Sequence, residues 1–253
     1  MSTPTLYEVR GPAAWITLNR PDNRNALSAD LVAGLLADLQ RALADDAVRV
    51  IVITGNGPVF CAGADLKSGG VSPGSGEQPF VTVMKTLWNS PKPVIGRING
   101  SAFGGGVGLA AACDLTVAVD SIQLTFSEVR VGVIPAMISV VVLPKLGIQN
   151  TMWLFLTGER FGAARAVDLG LIHRAVPADK LDAAVEEVIG MVRLGGPNAI
   201  REAKQLVRRI PSLPMDEAFE YTAEKIAQLF ASEEAAEGMR AFVEKRKPVF
   251  KGR

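Results

Sequence analysis

The stretch PVIGRINGSAFGGGVGLAAACDLTVAV, residues 93–119, decides how this chain is read. It opens with an apolar run, 93–98, that reads as a strand. A glycine-rich loop follows from Asn99, then an alanine-rich segment of helical character, then a second apolar run at 115–119. Strand, glycine loop, helix and strand in succession mark an α/β fold. Moving upstream, the pattern recurs. VRVIVIT (48–54) has the near-continuous apolar character of a strand buried on both faces, and it too runs into a glycine-bearing loop, GNGPVFCAGADL (55–66). Before it, AAWITL (13–18) reads as a strand. Ser28 is a good N-cap for a helix carrying Leu31, Leu35, Leu39 and Leu43 on one face. Downstream, 122–126 and 171–176 read as further short strands. The polar, turn-forming stretch 66–80 is expected to be a mobile loop.

Near residue 177 the character changes. Segments 178–193, 198–209, 216–231 and 233–245 show helical spacing, separated by Gly-Gly-Pro and Pro-Ser-Leu-Pro breaks. The expected organisation is an α/β core over 1–177 that holds the active site, followed by a helical region over 178–253.

Composition narrows the function. With 253 residues, 48% of them hydrophobic, the chain is long enough to bury a substantial core. Lys+Arg 27 against Asp+Glu 26 leaves a net charge of +1, which argues against a nucleic-acid or membrane-surface binder. Cys61 and Cys113 form no CxxC pair, and His173 is the single histidine, so neither a disulfide framework nor a metal site is expected. MSTPTLYEVRGPAAW lacks the basic and apolar blocks of a signal peptide. The richest apolar run, VGVIPAMISVVVLP, is shorter than the roughly 20 residues of a membrane span and contains two prolines. These features point to a soluble protein of a reducing compartment, the cytoplasm.

The chemistry is expected at the two glycine loops. Bare backbone lets N–H groups approach a ligand closely, and a helix N-terminus favours negative charge. Two such loops offering one N–H each to one oxygen make an oxyanion hole; the plainer alternative is that the glycines only permit tight turns. Gly106-Val-Gly108-Leu-Ala-Ala111 fits a relaxed dinucleotide fingerprint, but it begins too far from the strand end to turn off it as that motif requires. No GxxxxGK[ST] is present. Cys61 and His173 read as structural residues, Asp114 as a helix-end contact, and the basic tail KRKPVFKGR as a solvated end.

Taken together, PDNRNALS (21–28), FCAGADL (60–66), NGSAFGGG (99–106), FSEVRVGVIP (126–135), TGERFGAARAVDLGLI (157–172) and FVEKRKPVF (242–250) resemble the enoyl-CoA hydratase/isomerase (crotonase) superfamily over essentially the whole chain. The resemblance implies a spiral of ββα units with a C-terminal helical region that builds a trimer or a dimer of trimers. It implies an acyl-CoA thioester as substrate, with no separate cofactor. The thioester oxygen would be held by the backbone N–H groups of Ala62 and Gly105. CoA would lie along Arg24, Ala62, Ala64, Asp65 and Leu66, with Phe242 and Lys245 reaching its nucleotide end, from a neighbouring subunit if need be.

Two departures matter. Hydratases of the family usually carry two glutamates. The second is retained as Glu128, whereas Gly108 stands at the position of the first and falls among the substrate-binding positions. PAMIS (135–139) replaces the PGAGG of many members, which resembles a bacterial subgroup acting on branched enoyl-CoAs. The leading expectation is hydration of a 2-enoyl-CoA, or the reverse dehydration, with Glu128 as general acid and base. The alternatives are Δ3,Δ2-enoyl-CoA isomerisation by Glu128 alone and a non-catalytic acyl-CoA-binding homologue.

Overall fold

The computed structural model describes residues 3–66 and 78–250. Two sheets are wound by one repeating unit. A strand enters the first sheet, a short turn follows, a second strand enters the other sheet, and a helix covers the unit. β3 (Val50–Gly55) and β4 (Val59–Cys61) precede α2 (Pro79–Asn89). β5 (Val94–Ile98) and β6 (Ser101–Phe103) precede α3 (Gly105–Ala112). β7 (Leu115–Val119) and β8 (Gln123–Thr125) precede α4 (Ala136–Thr157). The first turn of the spiral is formed by β1 (Thr5–Arg10), β2 (Ala13–Leu18) and α1 (Ala29–Ala44).

The larger sheet has six strands in the order β1-β2-β3-β5-β7-β10, where β10 is Arg174–Val176. Only β1 and β2 pair antiparallel; the others are parallel, with Ile51 opposite Val94 and Ile95 opposite Leu115. All six residues of β3 are buried, as its unbroken apolar run requires. The smaller sheet, β4-β6-β8-β9 with β9 at Phe161–Gly162, uses strands of two or three residues. Sequence periodicity has nothing to grip in strands so short, and β4, β6 and β9 went unread for that reason. β1, in TLYEVR, is an edge strand with mixed exposure, and it too lacks a clear pattern.

Ser28 caps α1 as expected, its Oγ accepting the Leu31 N–H at 3.4 Å, and Leu31, Leu35 and Leu39 are buried. The apolar run after Arg130 becomes α4, which at 22 residues is long and apolar enough by count to span a membrane. It is broken at Gly147 (φ 71°), and Ile138, Val141, Val142, Leu146 and Leu154 are buried in the protein core. The stretch expected to be a loop at 66–80 lies mostly outside the described residues.

After residue 177 come α6 (Leu181–Arg193), α7 (Pro197–Arg209), α8 (Met215–Phe230) and α9 (Glu233–Val243). α6 covers the large sheet at β5 and β7 and buries Leu181, Val185 and Ile189 there. α7 is tethered by two cations to one carboxylate: Lys204 Nζ and Arg208 Nη2 lie 2.7 and 2.6 Å from Asp114, which also accepts the Val94 N–H. Asp114 therefore makes the helix-end contact its position suggests. α8 has no buried residue and α9 only Ala241.

Candidate active site

The two glycine loops meet at the start of α3. Gly63 has a positive φ of 81°, and a Cβ there would stand 2.6 Å from the Phe103 carbonyl and 3.2 Å from the Gly105 nitrogen. Only bare backbone fits so close an approach. From the other side, a Cβ on Gly105 would lie 3.7 Å from Gly63 Cα and 3.9 Å from the Ala64 nitrogen. The amides of Ala64 and Gly105 therefore come from different segments and lie side by side.

Their hydrogen bonding separates the candidate donors, and here one expectation is corrected. The Ala62 N–H is already engaged, donating to the Arg24 carbonyl at 3.0 Å, so Ala62 is not the first oxyanion donor. Leu27 N–H donates to Gly63 O at 2.7 Å in a parallel bridge that leaves the Ala64 N–H pointing away from that strand. Among the described residues, neither the Ala64 nor the Gly105 N–H meets an acceptor. Gly105 is the first residue of α3, where the N–H has no intrahelical partner and the helix dipole is positive. The two neighbouring amides that meet no acceptor are thus those of Ala64 and Gly105. The motif FCAGADL contains two alanines two residues apart, and only the bonding of the 20–28 loop tells them apart.

That loop is held by Asn25, which is fully buried at φ 54°. Its Oδ1 accepts the Arg20 N–H at 2.8 Å and its Nδ2 donates to the Asn56 and Val59 carbonyls, both at 2.9 Å. Sequence reasoning passed over Asn25; the run of Asn residues in PDNRNALS was its one signal. Arg24, also left-handed at φ 50°, is exposed beside the loop, and Leu66 is 63% exposed. Asp65 is buried and accepts from Asn23 Nδ2 at 3.1 Å, so it ties the two loops together.

Glu128 is brought to the same place by the small sheet. β6 and β8 pair in parallel, and the Gly104 N–H donates to Thr125 O at 2.9 Å. Phe126, fully buried against Phe155 with ring centroids 4.8 Å apart, anchors the chain as it turns. The next residues, Glu128–Val131, form one 3-10 turn closed by Gly132 at φ 77°. The Glu128 carboxylate rests on Gly104: a Cβ there would be 2.8 Å from Oε1, and Gly104 adopts φ +49°. Oε2 is buried with no hydrogen-bond partner. Burial raises the Glu128 pKa above the ordinary carboxylate value, partly countered by a bond from its own backbone N–H. A half-buried carboxylate with an unpartnered oxygen is poised to accept and return a proton.

Burial pushes the Cys61 thiol up to about 12, which leaves it inert. His173 Nδ1 lies 2.9 Å from Thr116 Oγ1, far from the loops, and burial lowers its pKa. No group of three or more His, Cys, Asp or Glu side chains among the described residues is placed to hold a metal. Phe242 is 86% exposed at the end of α9, and Lys245 just beyond it is exposed with φ 53°. Neither is joined by a hydrogen bond or ion pair to the loops among the described residues. Gly108 lies on α3 one turn beyond Gly104, and the side chain packed on it is that of Ile138. A cavity of about 960 Å³ opens at the opposite end of α3 by Asp114 and Lys204, away from the paired amides.

What this chain resembles agrees with that geometry. A family model described as enoyl-CoA hydratase/isomerase matches residues 9–253. The "Probable enoyl-CoA hydratase" of Rhizobium meliloti is 38% identical over 255 residues, covering 98% of each chain. The carnitinyl-CoA dehydratase of Citrobacter koseri is 34% identical over 268 residues and covers both chains fully. The crystal structure of an enoyl-CoA hydratase from Shewanella pealeana superposes with a TM-score of 0.91 at 31% identity, covering 98% of this chain and 96% of that one. The ββα spiral, the two converging loops and a match along almost the full length show that this chain is an enzyme of the enoyl-CoA hydratase/isomerase (crotonase) family.

Proposed function

We propose that the protein adds water across the double bond of a 2-enoyl-CoA to give a 3-hydroxyacyl-CoA, or runs the reverse dehydration. Glu128 is the acid/base, and the Ala64 and Gly105 amides hold the thioester oxygen. The observation that carries this reading is the pair of unbonded amides lying beside an unpartnered carboxylate oxygen. As hydroxide adds to Cβ, negative charge moves onto the thioester oxygen. Two preorganised donors stabilise it, each worth about 3 kcal/mol at comparable sites. Glu128 takes the proton from water and returns it to Cα, so the carboxylate ends as it began. Relatives named hydratase and dehydratase support this direction of chemistry.

CoA runs past the exposed Arg24 and Leu66, with Asp65 holding the loop. The acyl group enters an apolar cavity of about 200 Å³ between α2 and α4, lined by Val81, Met84, Trp88, Met137 and Val141. Phe242 and Lys245 contact the nucleotide end of CoA bound to a neighbouring copy, in a trimer or a pair of trimers. The test is turnover of crotonyl-CoA by the purified protein, followed as loss of the conjugated thioester absorbance. Tight binding without turnover on a panel of 2- and 3-enoyl thioesters would select a non-catalytic role instead.

A second reading is double-bond migration from a 3-enoyl-CoA to the 2-enoyl-CoA. Glu128 would take a proton from C2 and deliver it to C4 through the same enolate. The specific observation in its favour is the hydrocarbon packed on Gly108, which leaves Glu128 as the only carboxylate assigned to the reaction.

A further inference from the structure

Two cavities meet at one aromatic side chain. The pocket of about 200 Å³ between α2 and α4 and the cavity of about 960 Å³ beside Asp114 share two lining residues, Trp88 and Val141. Along α4, Ile138 packs on Gly108, and seven residues later Lys145 Nζ donates to the Cys113 carbonyl at 3.0 Å. α4 thus runs beside α3 from the amide end toward Asp114, and the near pocket leads to the far cavity in the same direction. Trp88 packs against the core near the end of α2, and its ring is held by groups of the far cavity. The Arg208 guanidinium lies 4.2 Å from the ring centroid, and Arg208 Nη2 is 2.6 Å from the Asp114 carboxylate. Lys204, 2.7 Å from the same carboxylate, donates to the Leu87 carbonyl at 3.3 Å and fixes the helix end that carries the ring. Val141, on the other side, is 3% exposed.

We propose that Trp88, locked by Arg208 and Asp114, is the stop for the acyl chain: it limits the substrate to short enoyl groups and closes off a second chamber that would accept long ones. The inference rests on the acyl-CoA site proposed above and deepens it by naming the chain length and the residue that sets it. At about 30 Å³ for each water-sized group, close to the volume of one methylene, the near pocket takes roughly six or seven carbons. The far cavity is several times larger, and Ala111, Pro144, Met191, Ile200 and Val207 give it apolar walls that suit hydrocarbon. A long chain reaches those walls only by displacing the indole. That movement would part the ring from a partly buried guanidinium, a contact that strengthens as both partners lose water.

Calorimetric titration with butyryl-, hexanoyl-, octanoyl- and dodecanoyl-CoA tests this, because saturated thioesters bind without turning over. In the wild type, affinity should climb by up to about fourfold per methylene while the near pocket fills, and should not climb further from octanoyl to dodecanoyl. Trp88→Ala should raise the dodecanoyl-to-butyryl affinity ratio by at least about tenfold, since several methylenes then become buried. Trp88→Phe, which keeps a ring in place, should retain the wild-type plateau. An affinity that keeps climbing through dodecanoyl in the wild type, or an unchanged ratio in Trp88→Ala, would overturn the proposal. Should Trp88→Ala fail to fold, Arg208→Met decides in its place: a raised ratio supports the stop, and an unchanged one refutes it. If the chain-length profile appears but no 2- or 3-enoyl thioester is turned over, this inference stands and the catalytic reading alone fails. If none of the acyl-CoAs binds, both fall.

Discussion

Glu128 concentrates the proposed chemistry of the molecule, and its environment makes two predictions of opposite sign. Glu128→Gln removes the only proton carrier assigned here and should reduce kcat by about 10²–10⁴-fold, read by steady-state assay. The same variant should be more stable than the wild type at pH 7–8. A carboxylate whose folded pKa lies above its unfolded value stabilises the fold while protonated and loses that contribution as pH rises through the folded pKa. The gain should vanish below the unfolded pKa near 4, and Tm measured against pH for both proteins checks it. With Glu128 as the proposed base toward water, kcat/KM should fall on the acid side with a midpoint above the ordinary carboxylate value. Glu128 was legible in the sequence through the resemblance of FSEVRVGVIP to the family's pattern. Which of two alanines offers its amide was not, because Ala62 and Ala64 differ in that the Arg24 carbonyl takes the Ala62 N–H and no carbonyl among the described residues takes that of Ala64.

At the level of elements, the site depends on ties that carry no chemistry. Asn25 closes the 20–28 loop on itself through the Arg20 N–H and joins it to the β3–β4 corner by two further hydrogen bonds, and that loop holds Ala62 through the Arg24 carbonyl. Asn25→Ala should cost about 2–4 kcal/mol, from buried donors and acceptors left unmatched, and urea denaturation reads it. Asp114 is the anchor of α7. With the Lys204 side chain 9% exposed and that of Arg208 17%, Asp114→Asn would leave two partly buried cations facing a neutral amide. We expect about 3–5 kcal/mol of destabilisation and early proteolytic cleavage near the 194–197 break. Long elements with a clear period were readable from the sequence: Ala13–Leu18, Leu115–Val119 and the four C-terminal helices lie where their patterns put them. The small sheet was not, since strands of two or three residues are fixed by their partners rather than by their own alternation. α4 was hidden by Pro144 and Gly147, which interrupt a helix that tertiary packing nevertheless completes.

For the whole molecule, exposed hydrocarbon is the outstanding feature. Along α4, Val140, Ile148, Met152, Trp153 and Leu156 are each more than half exposed, and α8 and α9 add Phe219, Phe230 and Phe242. Apolar surface on this scale marks an interaction site. It supports the proposed assembly, for which sedimentation equilibrium should give three or six times the 26.8 kDa chain mass; a monomer would contradict it. The catalytic claim is tested most directly by the crystal structure of the protein with a slowly reacting 2-enoyl-CoA bound. The account predicts the thioester oxygen about 2.7–3.1 Å from both the Ala64 and Gly105 nitrogens, with the Glu128 carboxyl over the reacting carbons. A thioester oxygen bonded elsewhere, or to only one of those amides, would contradict it.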